Sequence, residues 1–251
     1  MTLDGTRSYV LRAPGSPGCV VVDPGPELEP HLVALADAGP VDLVLVTHRH
    51  ADHTGGLARF RELTGAPSRG ASPEFCVGGE PLGDGEVLDV AGVRIKVLAT
   101  PGHTADSVCL VVSVPGGPAS GSVVLTGDTV LGQGTTVLAE PDGSLRDYLA
   151  SLDRLGALDL PAPVPGLPGH GPVIPDLGAA VRAYRDHRLE RLDQVRLALA
   201  TLGAKLSDAD APLPDPLLDA VTGAVYSDVD PSVLIAARSS VRAQLEYLRG
   251  R

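Results

Sequence analysis

The 251-residue sequence is short of cysteine, of basic residues and of long apolar runs, and each shortage removes a class of protein. Its three cysteines, Cys19, Cys76 and Cys109, are widely spaced and form no Cys-x-x-Cys. So sparse and odd a set supports neither a disulfide framework nor a thiolate zinc site. Each is flanked by Val, Phe or Leu, the setting of a buried thiol rather than a reactive one. Basic residues number 20 against 31 acidic ones, for a net charge of −11. Residues 1–177 hold 21 acids and 10 bases, and residues 178–251 hold 10 of each, so the whole excess lies in the first part. Neither part is the basic surface that drives nonspecific nucleic-acid binding by counterion release. An RNA substrate would need a local patch or direct metal contact. No apolar run approaches the ~20 residues of a membrane helix. The start, Met1-Thr2-Leu3-Asp4-Gly5, lacks the basic and apolar segments of a secretory leader. A cytoplasmic protein without membrane partners is the expectation.

What is present is an ordinary globular composition, 43% hydrophobic, long enough for one large domain and a small appendage. Short β-branched runs closed by Gly, Pro or Asp recur at residues 19–22, 41–46, 93–99, 107–114 and 123–126, and read as strands. Residues 27–38 and 144–155 carry leucines at helical spacing, the second opening on Ser144 as a plausible N-cap. Strands interleaved with helices predict a layered α/β domain. Residues 161–175 contain six prolines and read as an irregular crossover. Beyond it Val181, Tyr184, Leu189, Leu192, Val195, Leu199 and Leu202 mark a long amphipathic helix, with further helices expected near 217–225 and 232–248. The expected division is therefore 1–177 for the α/β domain and 178–251 for a small helical one.

The chemistry concentrates in Thr47-His48-Arg49-His50-Ala51-Asp52-His53. In extended chain, residues two apart point the same way, so His48 and His50 can grip one ion. Asp52 and His53 follow as the chain turns toward a helix and can face a second. Three single candidates close other strand-like runs: His103 in Pro-Gly-His-Thr, Asp128 in Thr-Gly-Asp-Thr, and His170 in Pro-Gly-His-Gly. Together these residues suffice for two metals and a bridging carboxylate. Imidazole and carboxylate suit zinc first, and iron or manganese where oxygen ligands are prominent. Other polar residues invite plainer readings. His31 falls on a solvated helix face. His187 lies with Arg182, Arg185, Arg188 and Arg191 on the long helix, a solvated face rather than a phosphate-binding strip. The loop 132–136 is either a tight turn or a source of N–H groups and hydroxyls for an oxyanion.

The pattern resembles the metallo-β-lactamase superfamily over essentially the whole chain. The resemblance implies a four-layer αββα sandwich with a small C-terminal helical, winged-helix-like domain, and a metal site at the sheet edges. It implies that His48, His50 and His103 hold one divalent ion, that Asp52, His53 and His170 hold another, and that Asp128 bridges. A narrower likeness, to the β-lactamase-like protein 2 branch, is carried by Thr2-Leu3-Asp4-Gly5-Thr6, Leu131-Gly132-Gln133-Gly134-Thr135-Thr136-Val137 and Pro168-Gly169-His170-Gly171-Pro172-Val173-Ile174. His187–Arg191 and Val225–Val229 fit it too. Two positions depart from that branch: Arg7-Ser8 follow Gly5-Thr6 where Asn-Thr is usual, and Gln133 replaces an acidic residue.

By this resemblance the chain is a metal-dependent hydrolase, with Asp52 as the catalytic residue beside a water lowered in pKa by two cations. Gly134, Thr135 and Thr136 are its substrate-binding candidates. The branch points to single-stranded RNA, cut at phosphodiesters. The alternative is an acyl thioester, as in the glyoxalase II type or polyketide-associated relatives. His170 follows Asp128 by only 42 positions, too near for the inserted second domain of the RNA-processing nucleases.

Overall fold

In the computed structural model, the described residues are 5–118, 121–138, 142–161, 163–206, 212–227, 230 and 234–249. Two sheets face each other. The first has the order β1 (Tyr9–Leu11), β2 (Cys19–Val22), β3 (Val41–Leu45) and β4 (Ser68–Arg69). Its β2–β3 and β3–β4 pairs are parallel, joined through α1 (Glu29–Ala36), α2 (Ala51–Thr54) and α3 (Leu57–Thr64). The second runs β5 (Val87–Val90), β6 (Val93–Ala99), β7 (Val108–Ser113), β8 (Val123–Gly127) and β9 (Gly166–Pro168). It is antiparallel except for the β8–β9 pair.

Side-chain alternation builds the layers. On β2 and β3, Val20, Val22, Leu43 and Leu45 point between the sheets, where they meet Ile95, Val97, Leu110 and Leu125. The intervening Cys19, Val21, Val44 and Val46 pack against Leu32, Leu35, Leu57 and Phe60 of α1 and α3. Both faces of these strands are buried, which is why they read as unbroken apolar runs. On the far side, Leu98, Cys109 and Val124 turn outward onto α4 (Leu145–Gly156) and α5 (Leu177–Thr201). The result is the expected αββα order. Cys19 and Cys109 are buried free thiols and Cys76 is half-buried.

The expected helices and strands are present with ends moved by a residue or two. Ser144 does cap α4, accepting from the Asp147 N–H at 3.3 Å. The proline-rich stretch 161–175 is more regular than expected. It contains β9, which forms the sheet edge beside β8, a place where prolines are tolerated because one ladder side is unused.

Helix α5 begins at Leu177 and runs across the expected division of the chain. Its earlier part, with Val181, Tyr184 and Leu192, completes the core over α4. Its second half joins Leu218 and Val221 of α6 (Asp215–Val225) and Val241 and Leu245 of α7 (Leu234–Arg249) in a separate small core. The expected start of the last helix, residues 232–233, lies outside the described residues. Among the described residues after 177 there is no strand, and no helix is long and apolar enough to cross a membrane.

Candidate metal centre

Strand ends on both sheets deliver the histidines and aspartates to one rim. The chain leaves β3 at Leu45 and reaches His48 three residues later. His50 is the extended residue that opens α2, with φ −60° and ψ 141°, and the helix then presents Asp52 and His53. His103 follows β6, Asp128 follows β8 directly, and His170 follows β9 by two residues. All seven candidates meet. His50 Nδ1 lies 3.0 Å from His48 Nε2 and 3.0 Å from His103 Nε2. Asp52 Oδ2 lies 3.2 Å from His170 Nε2 and 3.8 Å from His53 Nε2. Asp128 stands between, its Oδ2 3.3 Å from His170 and 3.7 Å from His103, its Oδ1 3.5 Å from His53. Three subsets bring one ligand atom each within 4.8 Å of one another: His48, His50 and His103; His48, His53 and Asp128; and Asp52, His53 and His170.

Hydrogen bonding on the outer side of the rings fixes what faces inward. His103 Nδ1 lies 2.8 Å from the Val137 carbonyl, which can only accept, so that nitrogen carries the proton. His170 Nδ1 stands likewise 3.0 Å from the Gly5 carbonyl, and His53 Nδ1 2.9 Å from Asp23 Oδ2. For His48 the inference takes two steps. The Thr47 hydroxyl donates to Asp23 Oδ2 at 2.7 Å, and so accepts from His48 Nδ1 at 3.1 Å. All four rings therefore turn Nε2 toward one another and toward two carboxylates. His53 Nε2 and Asp128 Oδ1 are buried with no hydrogen-bond partner among the described residues. Convergent lone pairs with orphaned buried acceptors repel unless a cation lies among them. The residues fit divalent metal.

The electrostatics agree. Burial lowers the basicity of His48, reinforced by its histidine neighbours, and pushes His103 down to about 4, so both rings are neutral metal-ligand forms. Burial opposes protonation of His170 too, but its hydrogen bonds to Asp128 and Asp52 prevail and raise it to about 10. The two carboxylates thus demand positive charge at that nitrogen. A proton, or a divalent cation beside it, answers the same demand.

Sequence reasoning missed the residues behind the rings. Asp23, read only as the turn closing β2, is 2% exposed and accepts from the Thr47 N–H, the Thr47 hydroxyl and His53 Nδ1. Its signal was available, since it ends a strand at the rim, as the other candidates do. Thr6 donates to Asp52 Oδ2 at 2.9 Å. Asp23→Asn tests the first of these. Asn accepts the observed φ of 51°, but its single acceptor oxygen cannot serve all three donors. Metal affinity, measured by competition with a chromophoric chelator, is expected to fall about 10–100-fold. An unchanged affinity would mean that the carboxylate does not orient His53.

The loop after β8 lies against this cluster. Thr135 and Gly134 are exposed, while Thr136 is 3% exposed, with its hydroxyl 2.9 Å from His103 Nδ1. Two plainer expectations need correction. His31 is half-buried and bonded to the Ser8 hydroxyl at 3.0 Å rather than solvated, because α1 lies against the chain leaving β2. The arginines of α5 do not form one solvated face, since Arg188 is 3% exposed.

Comparison with known proteins bears on the same residues. Residues 1–167 match the family described as the metallo-beta-lactamase superfamily. An atrochrysone carboxyl ACP thioesterase of Aspergillus chevalieri is 31% identical over 246 residues, 92% of this chain and 72% of the relative. A beta-lactamase-like protein 2 homolog of Caenorhabditis elegans is 28% identical over 98% of this chain and 79% of its own. Among solved structures, a metallo-beta-lactamase family protein of Thermus thermophilus superposes with a TM-score of 0.72. It shares 23% identity, over 98% of this chain and 88% of the other.

Proposed function

Since this chain belongs to the metallo-beta-lactamase superfamily and is a hydrolase, we propose that it hydrolyses acyl thioesters at a centre of two divalent cations. The observation that carries this over an RNA substrate is the state of the arginines on α5. Arg185 pairs with Asp153 at 2.7 Å, Arg188 is buried onto the Thr136 carbonyl, and Arg191 donates to Gln194 and covers the Tyr226 ring. Three of the four arginines are thus committed to the protein's own groups, and the exposed Arg182 alone makes no strip for phosphates. The net charge of the first 177 residues, −11 from 21 acids and 10 bases, also repels a polyanion. The relative named as a thioesterase is similar over 92% of this chain.

His48 Nε2, His50 Nδ1 and His103 Nε2 would hold one cation, and Asp52, His53 Nε2 and His170 Nε2 the other, with Asp128 facing both. An all-nitrogen-and-oxygen set suits zinc, with iron or manganese as alternatives. Bound there, divalent cations bring the pKa of water near neutrality and polarise an acyl oxygen. Asp52, held by the Thr6 hydroxyl, orients the attacking water and takes its proton. Attack forms a C–O bond at the acyl carbon and breaks the C–S bond, and the proton taken by Asp52 passes to the departing sulfur, releasing a carboxylic acid and a thiol. Asp128 fixes the spacing of the two halves. Gly134 and Thr135 on the exposed rim contact substrate, while Thr136 acts from behind His103. Residues 1–177 form the catalytic unit in this reading and 178–251 the helical one.

The test is release of free thiol from a series of acyl thioesters of coenzyme A and of N-acetylcysteamine, by zinc-loaded protein, beside an Asp52→Ala control. Thiol release that disappears in the control is expected. Cleavage of end-labelled single-stranded RNA that disappears in that control, with all thioesters intact, would overturn the reading in favour of a phosphodiesterase.

A further inference from the structure

The C-terminal part of the chain contributes more to the site than a neighbouring helix would. Arg188 on α5 is 3% exposed, and a guanidinium is costly to bury unless its donors and charge are met. Its helical neighbours toward the core, Tyr184 and Leu192, belong to the apolar cluster over α4. An apolar side chain would fill this position at no electrostatic cost. Packing alone does not account for an arginine.

Its contacts do. Nη2 donates to the Thr136 carbonyl, and the guanidinium carbon sits 5.1 Å over the centre of the Tyr148 ring. The residue it holds, Thr136, places its hydroxyl 2.9 Å from His103 Nδ1, and the next carbonyl, Val137, lies 2.8 Å from the same nitrogen. The loop carrying these groups, residues 131–138, forms no helix or strand, so its position depends on the contacts it makes. Helix α5 holds it at a second point. The Tyr184 hydroxyl donates to the Gly134 carbonyl at 2.8 Å and accepts from the Leu131 N–H at 3.0 Å. At its other end the loop reaches the second half of the cluster, where the Gly132 N–H donates to the His170 carbonyl at 2.9 Å.

We propose that Arg188 is a positioning residue for the metal centre, fixing the 131–138 loop so that Thr136 and Val137 set the ring plane and tautomer of His103. This rests on the reading of His103 as a ligand. The second part of the chain is then a component of the hydrolytic site, acting from behind the ligand and out of reach of substrate.

The experiment uses the full chain loaded with cobalt(II), whose visible absorption reports ligand geometry independently of turnover. Arg188→Met keeps the stem and removes the donors and the charge. It is expected to fold, as judged by circular dichroism, to show a changed cobalt spectrum, and to bind cobalt about 10-fold more weakly by chelator competition. Arg188→Lys, which returns a donor and the charge, is expected to recover part of both. A wild-type spectrum and affinity in Arg188→Met, whatever its thermal midpoint, would overturn the proposal and leave Arg188 a stabilising residue only. If Arg188→Met does not fold, Arg188→Gln decides in its place: it loses the charge and the reach to the Thr136 carbonyl, so an unchanged spectrum there is equally fatal. Failure of the wild-type protein to bind cobalt would instead overturn the ligand reading, and this inference with it.

Discussion

Replacing Asp52 with alanine is expected to lower turnover by about 10²–10⁴-fold or more, the range of a lost general base, in a protein that stays folded. Two carboxylates serve the candidate centre, and they are not equivalent. The Asp128 side chain is 10% exposed and wedged among histidines of both halves, whereas that of Asp52 is 24% exposed. Asp52 is the carboxylate that solvent and substrate can reach. Its Oδ2 is fixed from one side by the Thr6 hydroxyl at 2.9 Å and from the other by His170 at 3.2 Å. In the proposed reading, alanine removes a ligand atom and the proton acceptor together. The fold does not depend on it, since Asp52 lies in the four-residue helix α2 and outside all four apolar clusters. His50→Ala is expected to fall as steeply, because its Nδ1 is the point on which His48 and His103 converge. Steady-state thiol release, with circular dichroism and thermal midpoint measured on the same samples, checks both. Turnover near wild type in either variant would remove it from the centre.

That the seven candidates would meet was legible in the sequence because their pattern is local. His48, His50, Asp52 and His53 fall within six positions, and the backbone's own geometry, extended and then helical, turns them to one place. His103, Asp128 and His170 were legible for a second local reason: each closes a strand with a glycine beside it, and strands end at a sheet rim. What was not legible depends on partners far along the chain. Asp23 occupies the same kind of strand end, but its carboxylate gains meaning only from Thr47 and His53, brought beside it by the parallel pairing of β2 with β3. The buried state of Arg188 could not be read from helical periodicity, since its partner Thr136 is 52 residues away. The edge strand β9 was hidden because proline suppresses strand propensity, while its pairing with β8 is a tertiary fact. Local chemistry was written in the sequence; the groups that orient it were written in the topology.

Gly169→Ala is expected to cost the centre about 10²-fold in turnover, the penalty of a misplacement near 1 Å, and to weaken metal binding in parallel. A Cβ at this position would lie 2.3 Å from Asp128 Oδ1 and 2.7 Å from His53 Cε1. Both are distances that unbonded atoms do not sustain. The backbone cannot retreat to relieve them. Gly169 N–H donates to the Gly127 carbonyl at 2.8 Å, and its own carbonyl accepts from the Arg7 N–H at 2.8 Å. The strain must therefore fall on Asp128 and His53, which hold the two buried atoms of the cluster left without a hydrogen-bond partner, Oδ1 and Nε2. Because Asp128 faces both halves, moving it would disturb both of the proposed cations at once, unlike the loss of a ligand from one half. The glycine is required by the space beside it rather than by its backbone angle, so the defect should appear in metal affinity and turnover with little change in secondary structure. Chelator competition on folded Gly169→Ala protein reads the first directly. Wild-type affinity for two equivalents of zinc would mean that Asp128 can shift without consequence, and that it does not set the spacing of the centre.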